Sequence, residues 1–288
     1  MVVRILTSIV GLIVFFAAFL ADEFIFCTAA AVVSVGMVCE AIKAVKPGKA
    51  VTAVSIFLSS LFFLSVITLG LNGEIYKSLY NPETVEMLEK LMLLLFFAVY
   101  VVLAVFLYLI LTVKYFNKID FSKIYSSAFL NLYITVFMSF ILLLRADYGR
   151  YAVLAVFMFA WITDTGAYFS GRFLGRHKLA PNLSPKKTVE GAIGGVVLSV
   201  VAGFVYIWAL NKFFGITLGN NTFFIAAAGV GAVLSELGDL VASAVKRQCG
   251  IKDFGRIFPG HGGLFDRFDS VVFIAPFVYM VFTLMQFM

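Results

Sequence analysis

The sequence predicts an all-α polytopic integral membrane protein with about nine transmembrane helices. Hydrophobic residues make up 62% of the 288-residue chain and charged residues only 13%, and the mean hydropathy is +1.03. A soluble protein of this length could not bury so much apolar surface. The apolar residues form long continuous runs and not the short alternating segments of a transmembrane β-barrel, so the spans are predicted to be helices.

A helix needs roughly 20 apolar residues to cross a bilayer, and nine stretches of the sequence approach or exceed this length. In chain order, the predicted spans are 5–20, 24–42, 51–70, 91–113, 125–144, 151–171, 190–210, 222–245 and 270–288. The first stretch is short, and we expect it to be tilted or drawn into the membrane by its neighbours. No period of 20 to 50 residues recurs along the chain, so a repeat architecture is not predicted.

The basic residues predict the orientation of these spans. With the N-terminus in the cytoplasm, 17 of the 22 lysines and arginines fall in inside segments. The five in outside segments are Lys77, Lys90, Arg145, Arg150 and Lys212. Because cytoplasmic loops carry an excess of Lys and Arg, we predict the N-terminus inside and the C-terminus outside. We expect no nucleic-acid partner for this basic face, because no soluble domain is predicted that could present a groove.

Two regions are predicted along the chain. Residues 1–150 hold five spans and form an N-terminal membrane scaffold. Residues 151–288 hold four spans and form the catalytic region, with the two long inside loops 172–189 and 246–269. Since these loops are the only sizeable polar segments, we expect the function to lie beside them.

Acidic residues lie inside two of the spans that flank these loops. Glu236 and Asp239 are three residues apart in the eighth span and share one helix face. Asp164 lies about two turns from the cytoplasmic end of the sixth span. A carboxylate in a span costs roughly 2.5 to 3.5 kcal/mol, so it usually faces a partner or a wet cavity. Either these residues line a site, or Asp164 belongs to a structural polar cluster and the other two pair with Lys246 or Arg247 at a helix end.

The start of the seventh span suggests a phosphate site. Ser184 is predicted to be its N-cap and Pro185 its first helical residue. Lys186 and Lys187 would then lie in the first turn, where cations oppose the helix dipole. A bound phosphate would resolve this conflict. The alternative is that the two lysines anchor the chain to the inner leaflet.

The loop 246–269 combines basic residues with glycines. Its basic residues before the glycines are Lys246, Arg247, Lys252 and Arg256, and its glycines include Gly260, Gly262 and Gly263. Such glycines allow backbone amides to approach a ligand closely. His261 lies among them, and is either a structural hydrogen-bonding residue or part of the site.

Two carboxylates end this loop. Asp266 and Asp269 are three residues apart and would point the same way at the start of the ninth span. Like charges so close repel unless a cation lies between them. Carboxylate oxygens without a neighbouring set of His or Cys favour Mg²⁺ or Mn²⁺ over zinc.

These motifs resemble the signature of the phosphatidate cytidylyltransferases, also called CDP-diglyceride synthetases. The resemblance rests on SAVKR, then KD, then HGGLFDRFD within residues 243–269. DTGAY followed by GR at 164–172 and SPKKTVEG at 184–191 support it. The specific match covers roughly residues 161–270, and the first five spans agree only as a hydrophobic multi-span region.

The resemblance implies an enzyme that joins CTP and phosphatidic acid into CDP-diacylglycerol and pyrophosphate. It further implies one or two Mg²⁺ or Mn²⁺ ions, a homodimer, and a site facing the cytoplasm from the inner membrane. The predicted catalytic residues are Asp239, Asp266, Asp269, Lys246, Arg247 and Lys252. The predicted substrate-binding residues are Ser184, Lys186, Lys187, Thr188, Ser243, Asp253, Arg256, His261, Gly262, Gly263 and Arg267. The predicted metal ligands are Asp239, Asp266 and Asp269, with Glu236 and Asp164 as further candidates.

Three other functions are possible for a membrane protein of this kind: an ion-coupled transporter, a related membrane transferase and a purely structural protein. An ion-coupled transporter would suit nine spans and the intramembrane Asp164, but no inverted repeat is visible and the charge gathers at one membrane face. A related membrane transferase, such as a polyprenol kinase or an archaeal-type lipid cytidylyltransferase, would use the same chemistry on another lipid. A purely structural membrane protein would not need the charged loop 246–269.

Overall fold

The computed structural model describes the backbone of residues 2–79 and 81–288, and the side chains of residues 6–69, 81, 83–85 and 87–288. The helices are α1 (Val2–Leu20), α2 (Glu23–Val45), α3 (Lys49–Leu79), α4 (Pro82–Lys114), α5 (Phe121–Leu174), α6 (Val189–Ala209), α7 (Asn221–Gln248) and α8 (Phe265–Met285). A five-residue π-helical segment, Leu210–Phe214, continues α6. Strands β1 (Lys178–Ala180) and β2 (Ser184–Thr188) form an antiparallel hairpin.

This architecture confirms the predicted class, an all-α polytopic membrane protein. Within the described residues, seven helices are long and apolar enough to cross a membrane. In α1, the apolar segment among the residues with described side chains is Leu6–Leu20, which is shorter than the segments of the other seven helices. The number of spans and their orientation stay predictions.

Helix α5 contains both the fifth and the sixth predicted spans. Its 54 residues would measure about 80 Å as one straight helix, against roughly 30 Å for the hydrocarbon core of a bilayer. Helical geometry is interrupted at Gly149, where φ is 76° and ψ is −171°. Glycine reaches positive φ without a Cβ clash. The interruption falls between the predicted spans 125–144 and 151–171, as the apolar pattern indicated.

The chain divides into two compact units. Unit 1 consists of Met1–Leu142 and Asp253–Asp266, and unit 2 of Leu143–Lys252 and Arg267–Met288. The predicted division after residue 150 differs in one respect that matters. Residues 253–266, which we expected to belong to the C-terminal region, belong to unit 1. The Phe265 N–H in this segment donates a hydrogen bond to the Glu40 carboxylate of α2.

Unit 1 is joined by buried polar contacts as well as apolar ones. Ser55 of α3 and Tyr108 of α4 share a hydrogen bond of 2.7 Å between their hydroxyls. The hydroxyl of Tyr100 donates to Oδ1 of Asn131 at 2.9 Å, and Nδ2 of Asn131 donates to the carbonyl of Ser55 at 2.9 Å. These bonds link α3, α4 and the first half of α5, where an unpaired polar group would be costly.

Unit 2 depends on small residues of α6. A stripe at every fourth position is buried: Gly191, Gly195, Ser199 and Gly203. A Cβ at Gly195 would lie 2.9 Å from the Thr163 carbonyl oxygen of α5 and 3.0 Å from Oε1 of Glu236 on α7. Small residues at such spacing let helices approach closely. The stripe therefore brings the polar residues of α5 and α7 together.

Candidate active site

Unit 2 gathers four carboxylates from three helices. Asp164 comes from α5, Glu236 and Asp239 from α7, and Asp269 from α8. Asp164, Asp239 and Asp269 are close enough to interact electrostatically with one another, and Glu236 interacts with Asp164 and Asp239. Glu236 and Asp269 are 6% and 7% exposed. So many like charges repel unless cations offset them.

The close approach of α7 and α8 begins beside this cluster. A Cβ at Gly238 would lie 2.6 Å from Cβ of Phe273 and 3.0 Å from the carbonyl oxygen of Asp269. Any larger residue at 238 would push the two helices apart. This glycine therefore sets the separation of the turns that carry Asp239 and Asp269.

Lys187 supplies a cation to the cluster. Its Nζ lies 2.8 Å from Oδ2 of Asp239, and both side chains are partly buried, with 18% and 29% of their surface exposed. The same ammonium group donates to the backbone carbonyl of Glu236 at 3.4 Å. A charge-assisted bond in a partly dry environment is stronger than an exposed ion pair. Asp239 is thus paired with Lys187, and the alternative in which Glu236 and Asp239 pair with Lys246 or Arg247 at a helix end stays open.

The predicted N-cap of the seventh span is wrong, although the predicted bounds 190–210 agree with α6. Ser184 is not an N-cap, because Ser184–Thr188 forms β2 and pairs with β1. The N-cap of α6 is Thr188, whose hydroxyl accepts a hydrogen bond of 3.1 Å from the Gly191 N–H. Glu190 then occupies the first turn, where an anion suits the helix dipole.

The hairpin also separates the two lysines that were predicted to act together. Successive side chains of a strand point to opposite faces. Lys186 is exposed, whereas Lys187 turns towards Asp239. Glu190 holds the chain before β1, since its carboxylate accepts from the N–H groups of Arg176 and His177 at 3.0 and 3.1 Å.

Two further basic residues of the predicted site lie near the carboxylates. Lys246 is half-buried and interacts electrostatically with Asp269. Arg267 is exposed and interacts with Asp164. Ser243, on the same helix as Lys246, is buried. These residues give the cluster both signs of charge.

Arg247 has a contact that ties two polar segments of unit 2. Its Nε donates to the Leu183 carbonyl at 3.3 Å, and its Nη1 donates to the Ile251 carbonyl at 3.2 Å. It therefore links the end of the hairpin turn to the chain after α7. The remaining charged residues of the loop that were predicted to bind substrate or act in catalysis are exposed: Lys252, Asp253 and Arg256. Their roles stay predictions.

Asp266 lies in unit 1, at the start of α8. Its carboxylate bonds the backbone of the glycine loop, residues 253–264. Its Oδ2 accepts hydrogen bonds from the Phe254 N–H at 2.7 Å and from the Gly263 N–H at 2.9 Å. Gly262 has φ of 86°, a conformation that favours glycine. The rings of Phe254 and Phe265 pack at 4.6 Å between centroids. The Gly263 amide, predicted to face a ligand, is thus bonded to Asp266.

The imidazole ring of His261 lies within hydrogen-bond distance of two hydroxyl groups. Its Nδ1 lies 3.0 Å from the Thr7 hydroxyl, and its Nε2 lies 3.3 Å from the Ser8 hydroxyl. Both hydroxyls belong to α1. The contacts support the reading of His261 as a hydrogen-bonding residue that holds the loop, and its predicted role in substrate binding stays a prediction.

Sequence reasoning missed Glu40, which is only 7% exposed and lies in the C-terminal third of α2. Its Oε2 accepts a hydrogen bond of 3.0 Å from the Phe265 N–H. A signal was present, because Glu40 is an acidic residue inside the apolar stretch 24–42. The first five spans are predicted to be scaffold, and this prediction leaves the energetic cost of the Glu40 carboxylate in the membrane without an explanation.

The donor set fits a hard divalent cation. The four carboxylates of unit 2 offer oxygen atoms alone, which suit Mg²⁺ or Mn²⁺ better than zinc. Oε1 of Glu236 is buried without a hydrogen-bond partner. Within the described part of the chain, however, no three His, Cys, Asp or Glu side chains are placed as a ready metal site. The predicted trio of Asp239, Asp266 and Asp269 stays a prediction.

Fold and site together define a polytopic membrane protein with a mixed-charge cluster built on its spanning helices. The family model for the cytidylyltransferase family matches residues 2–285. The chain therefore belongs to the cytidylyltransferase family, and the resemblance noted from the motifs is confirmed.

Curated relatives agree with this assignment. A phosphatidate cytidylyltransferase of Thermotoga maritima is 37% identical over 155 residues, which are 54% of this chain and 57% of the relative. One of Staphylococcus haemolyticus is 44% identical over 132 residues, 46% of this chain and 48% of the relative. One of Staphylococcus aureus is 44% identical over 131 residues, 44% of this chain and 47% of the relative. The chain spans about half the length of the curated relatives it matches.

Proposed function

We propose that the chain is a phosphatidate cytidylyltransferase of the inner membrane whose active site faces the cytoplasm. The observation that carries the proposal is the cluster of four carboxylates with Lys187 and Lys246, in a chain that belongs to the cytidylyltransferase family. The names of the curated relatives support the choice of phosphatidic acid as the lipid substrate. A site for two polyanions needs cations close to metal-binding carboxylates, and this cluster provides both.

The chemistry needs little help from a general base. A phosphate oxygen of phosphatidic acid, already anionic at neutral pH, attacks the α-phosphorus of CTP. The new phosphorus–oxygen bond joins CMP to the lipid, while the bond to the β-phosphate breaks and pyrophosphate leaves with the electron pair. The main difficulties are to bring two polyanions together and to stabilise the leaving group. A bound Mg²⁺ supplies charge neutralisation and orientation for this step.

The proposed roles follow the charges of the cluster. Asp239 and Asp269 would hold the ion, with Asp266 as the third expected ligand, while Glu236 and Asp164 remain candidates for a second one. Lys187, Lys246, Arg247 and Arg267 would hold phosphate oxygens. Lys187 has a particular part, because its ammonium group neutralises Asp239 at 2.8 Å and is proposed to pass to a phosphate oxygen when substrate binds.

The test is a direct assay of the purified full chain in detergent or proteoliposomes. Labelled CTP, Mg²⁺ and phosphatidic acid should give CDP-diacylglycerol and pyrophosphate in equal amounts, and excess EDTA should stop the reaction. Diacylglycerol in place of phosphatidic acid should give no product. Phosphorylation of a lipid alcohol without formation of a CDP-lipid would instead identify a membrane lipid kinase and overturn the proposal.

The resemblance also implies a homodimer, which we include in the proposal. Light scattering of the detergent-solubilised chain, corrected for bound detergent, should give twice the mass of 31.7 kDa. A value near 31.7 kDa would contradict this part of the proposal alone.

A further inference from the structure

Glu40 is a buried carboxylate that the proposed reaction does not use. It lies in the C-terminal third of α2, 7% exposed, and Oε2 accepts from the Phe265 N–H at 3.0 Å. Phe265 is the first residue of α8, and the first N–H groups of a helix have no partner within it. Glu40 therefore caps the N-terminus of α8 from another helix, where the dipole favours a negative charge.

The loop before α8 is shaped to receive this carboxylate. A Cβ at Gly255 or at Gly263 would collide with the carboxylate of Glu40. One turn earlier on α2, a Cβ at Gly36 would lie 2.6 Å from Cδ1 of Leu264. Neither Gly255 nor Gly263 has a left-handed backbone conformation, so these glycines are needed for space and not for backbone conformation.

The same loop carries Asp266, whose Oδ2 bonds the N–H groups of Phe254 and Gly263. Apart from the isolated bridge between Phe258 and Gly262, the segment 253–264 has no regular structure within itself. Asp266 of α8 bonds the backbone of this segment, Glu40 of α2 bonds the Phe265 N–H that follows it, and His261 contacts α1. Glu40 and Asp266 also interact electrostatically, so a change in one is felt by the other.

We propose that Glu40 is a positioning residue of the site: it caps α8 from α2 and so fixes the glycine loop and the placement of Asp266. The proposal rests on the proposed function only in its effect on turnover. Its structural half, the capping of α8, can be tested without any substrate. An N-terminal helix thereby takes part in the active region and is more than scaffold.

The first experiment uses Glu40→Ala and Glu40→Gln in the full chain. Hydrogen–deuterium exchange of peptides within 254–265 should rise clearly in Glu40→Ala and much less in Glu40→Gln, because glutamine keeps an acceptor oxygen. In the assay, Glu40→Ala should lower kcat/KM at least about tenfold and raise the Mg²⁺ concentration for half-maximal rate, with substantial recovery in Glu40→Gln. Glu23→Gln, an exposed carboxylate of the same helix, should change neither measurement.

Two further variants separate positioning from loss of stability. Leu58→Ala, at a buried position of α3, should lower the melting temperature while leaving the Mg²⁺ requirement and the exchange of 254–265 unchanged. Gly255→Ala should mimic Glu40→Ala, because its methyl group would meet the carboxylate. The double variant Glu40→Ala/Gly255→Ala should be no worse than Gly255→Ala alone, since the collision with the carboxylate is then removed and only the contact of 3.1 Å with Cα of Gly263 remains.

The outcomes decide between the two proposals. Wild-type exchange of 254–265 in Glu40→Ala, or simple addition of the two defects in the double variant, would overturn the role of Glu40. A wild-type chain that makes no CDP-diacylglycerol would overturn the proposed function, while the exchange measurement would still decide whether Glu40 caps α8. If Glu40→Ala does not fold, Gly255→Ala and Glu40→Gln carry the same test.

Discussion

Lys187 shows how one residue can hold a charged cluster together. Replacing it with methionine in Lys187→Met keeps an apolar stem but leaves Asp239 without its ion pair of 2.8 Å, beside Glu236 and Asp164. We expect the free energy of unfolding to fall by about 1 to 2 kcal/mol, measured by thermal unfolding without nucleotide. Lys186→Met, on the opposite face of the same strand, should change it by less than about 0.5 kcal/mol. Equal losses for the two variants would show that the ion pair contributes nothing.

The three predicted metal ligands allow a second prediction at the residue scale. Asp239→Asn, Asp266→Asn and Asp269→Asn keep size but remove charge, and each should cut turnover at least about a hundredfold, roughly 2.7 kcal/mol of barrier. Stabilisation of the purified chain by Mg²⁺ against heat should shrink alongside. Asp120→Asn, at an exposed position, is the control. Near-normal activity and metal dependence in both Asp266→Asn and Asp269→Asn would mean that the metal lies elsewhere.

At the scale of elements, the glycines of helix α6 allow the neighbouring helices to pack closely against it. Gly195→Ala would place a methyl group 2.9 Å from the Thr163 carbonyl oxygen and 3.0 Å from Oε1 of Glu236. Since the Thr163 carbonyl belongs to the backbone of α5 and cannot rotate away, we expect a loss of about 1 to 3 kcal/mol in unfolding free energy and lower turnover. Gly11→Ala, where no atom lies within 4 Å of the new Cβ, should be neutral or slightly stabilising. A harmless Gly195→Ala would show that α5, α6 and α7 do not depend on this close approach.

The elements also show which parts of the structure could be predicted from the sequence. Long apolar runs are enough to predict the helices, and the gap between the apolar runs 125–144 and 151–171 agrees with the interruption of α5 at Gly149. The cap at Ser184 was wrong, because local capping rules take no account of the partner strand Lys178–Ala180. Glu40 and Phe265 are 225 positions apart in the sequence. The sequence shows that the carboxylate of Glu40 lies in an apolar stretch, but it does not show which residue this carboxylate contacts.

At the scale of the whole molecule, the helices limit how the chain can cross the membrane. The interrupted α5, 54 residues long, is well over twice the roughly 20 residues that one crossing needs. We therefore expect it to cross twice, with the break at Gly149 on the outer side. The weakest element in the count is α1, because the apolar run predicted there, 5–20, is the shortest of the nine. Whether α1 spans decides the side of the N-terminus but does not affect the sides of the later loops.

Those later loops carry the last prediction. After removal of the three native cysteines, single cysteines are introduced at four exposed positions of unit 2: Arg150→Cys, Lys178→Cys, Thr217→Cys and Lys252→Cys. In intact cells an impermeant maleimide should label Arg150→Cys and Thr217→Cys, and should reach the other two only after permeabilisation. The reason is that the inside segments hold 17 of the 22 basic residues. Labelling of Arg150→Cys and Lys178→Cys from the same side would mean that the second half of α5 does not cross, and would place the carboxylate cluster at a different membrane depth from the one proposed.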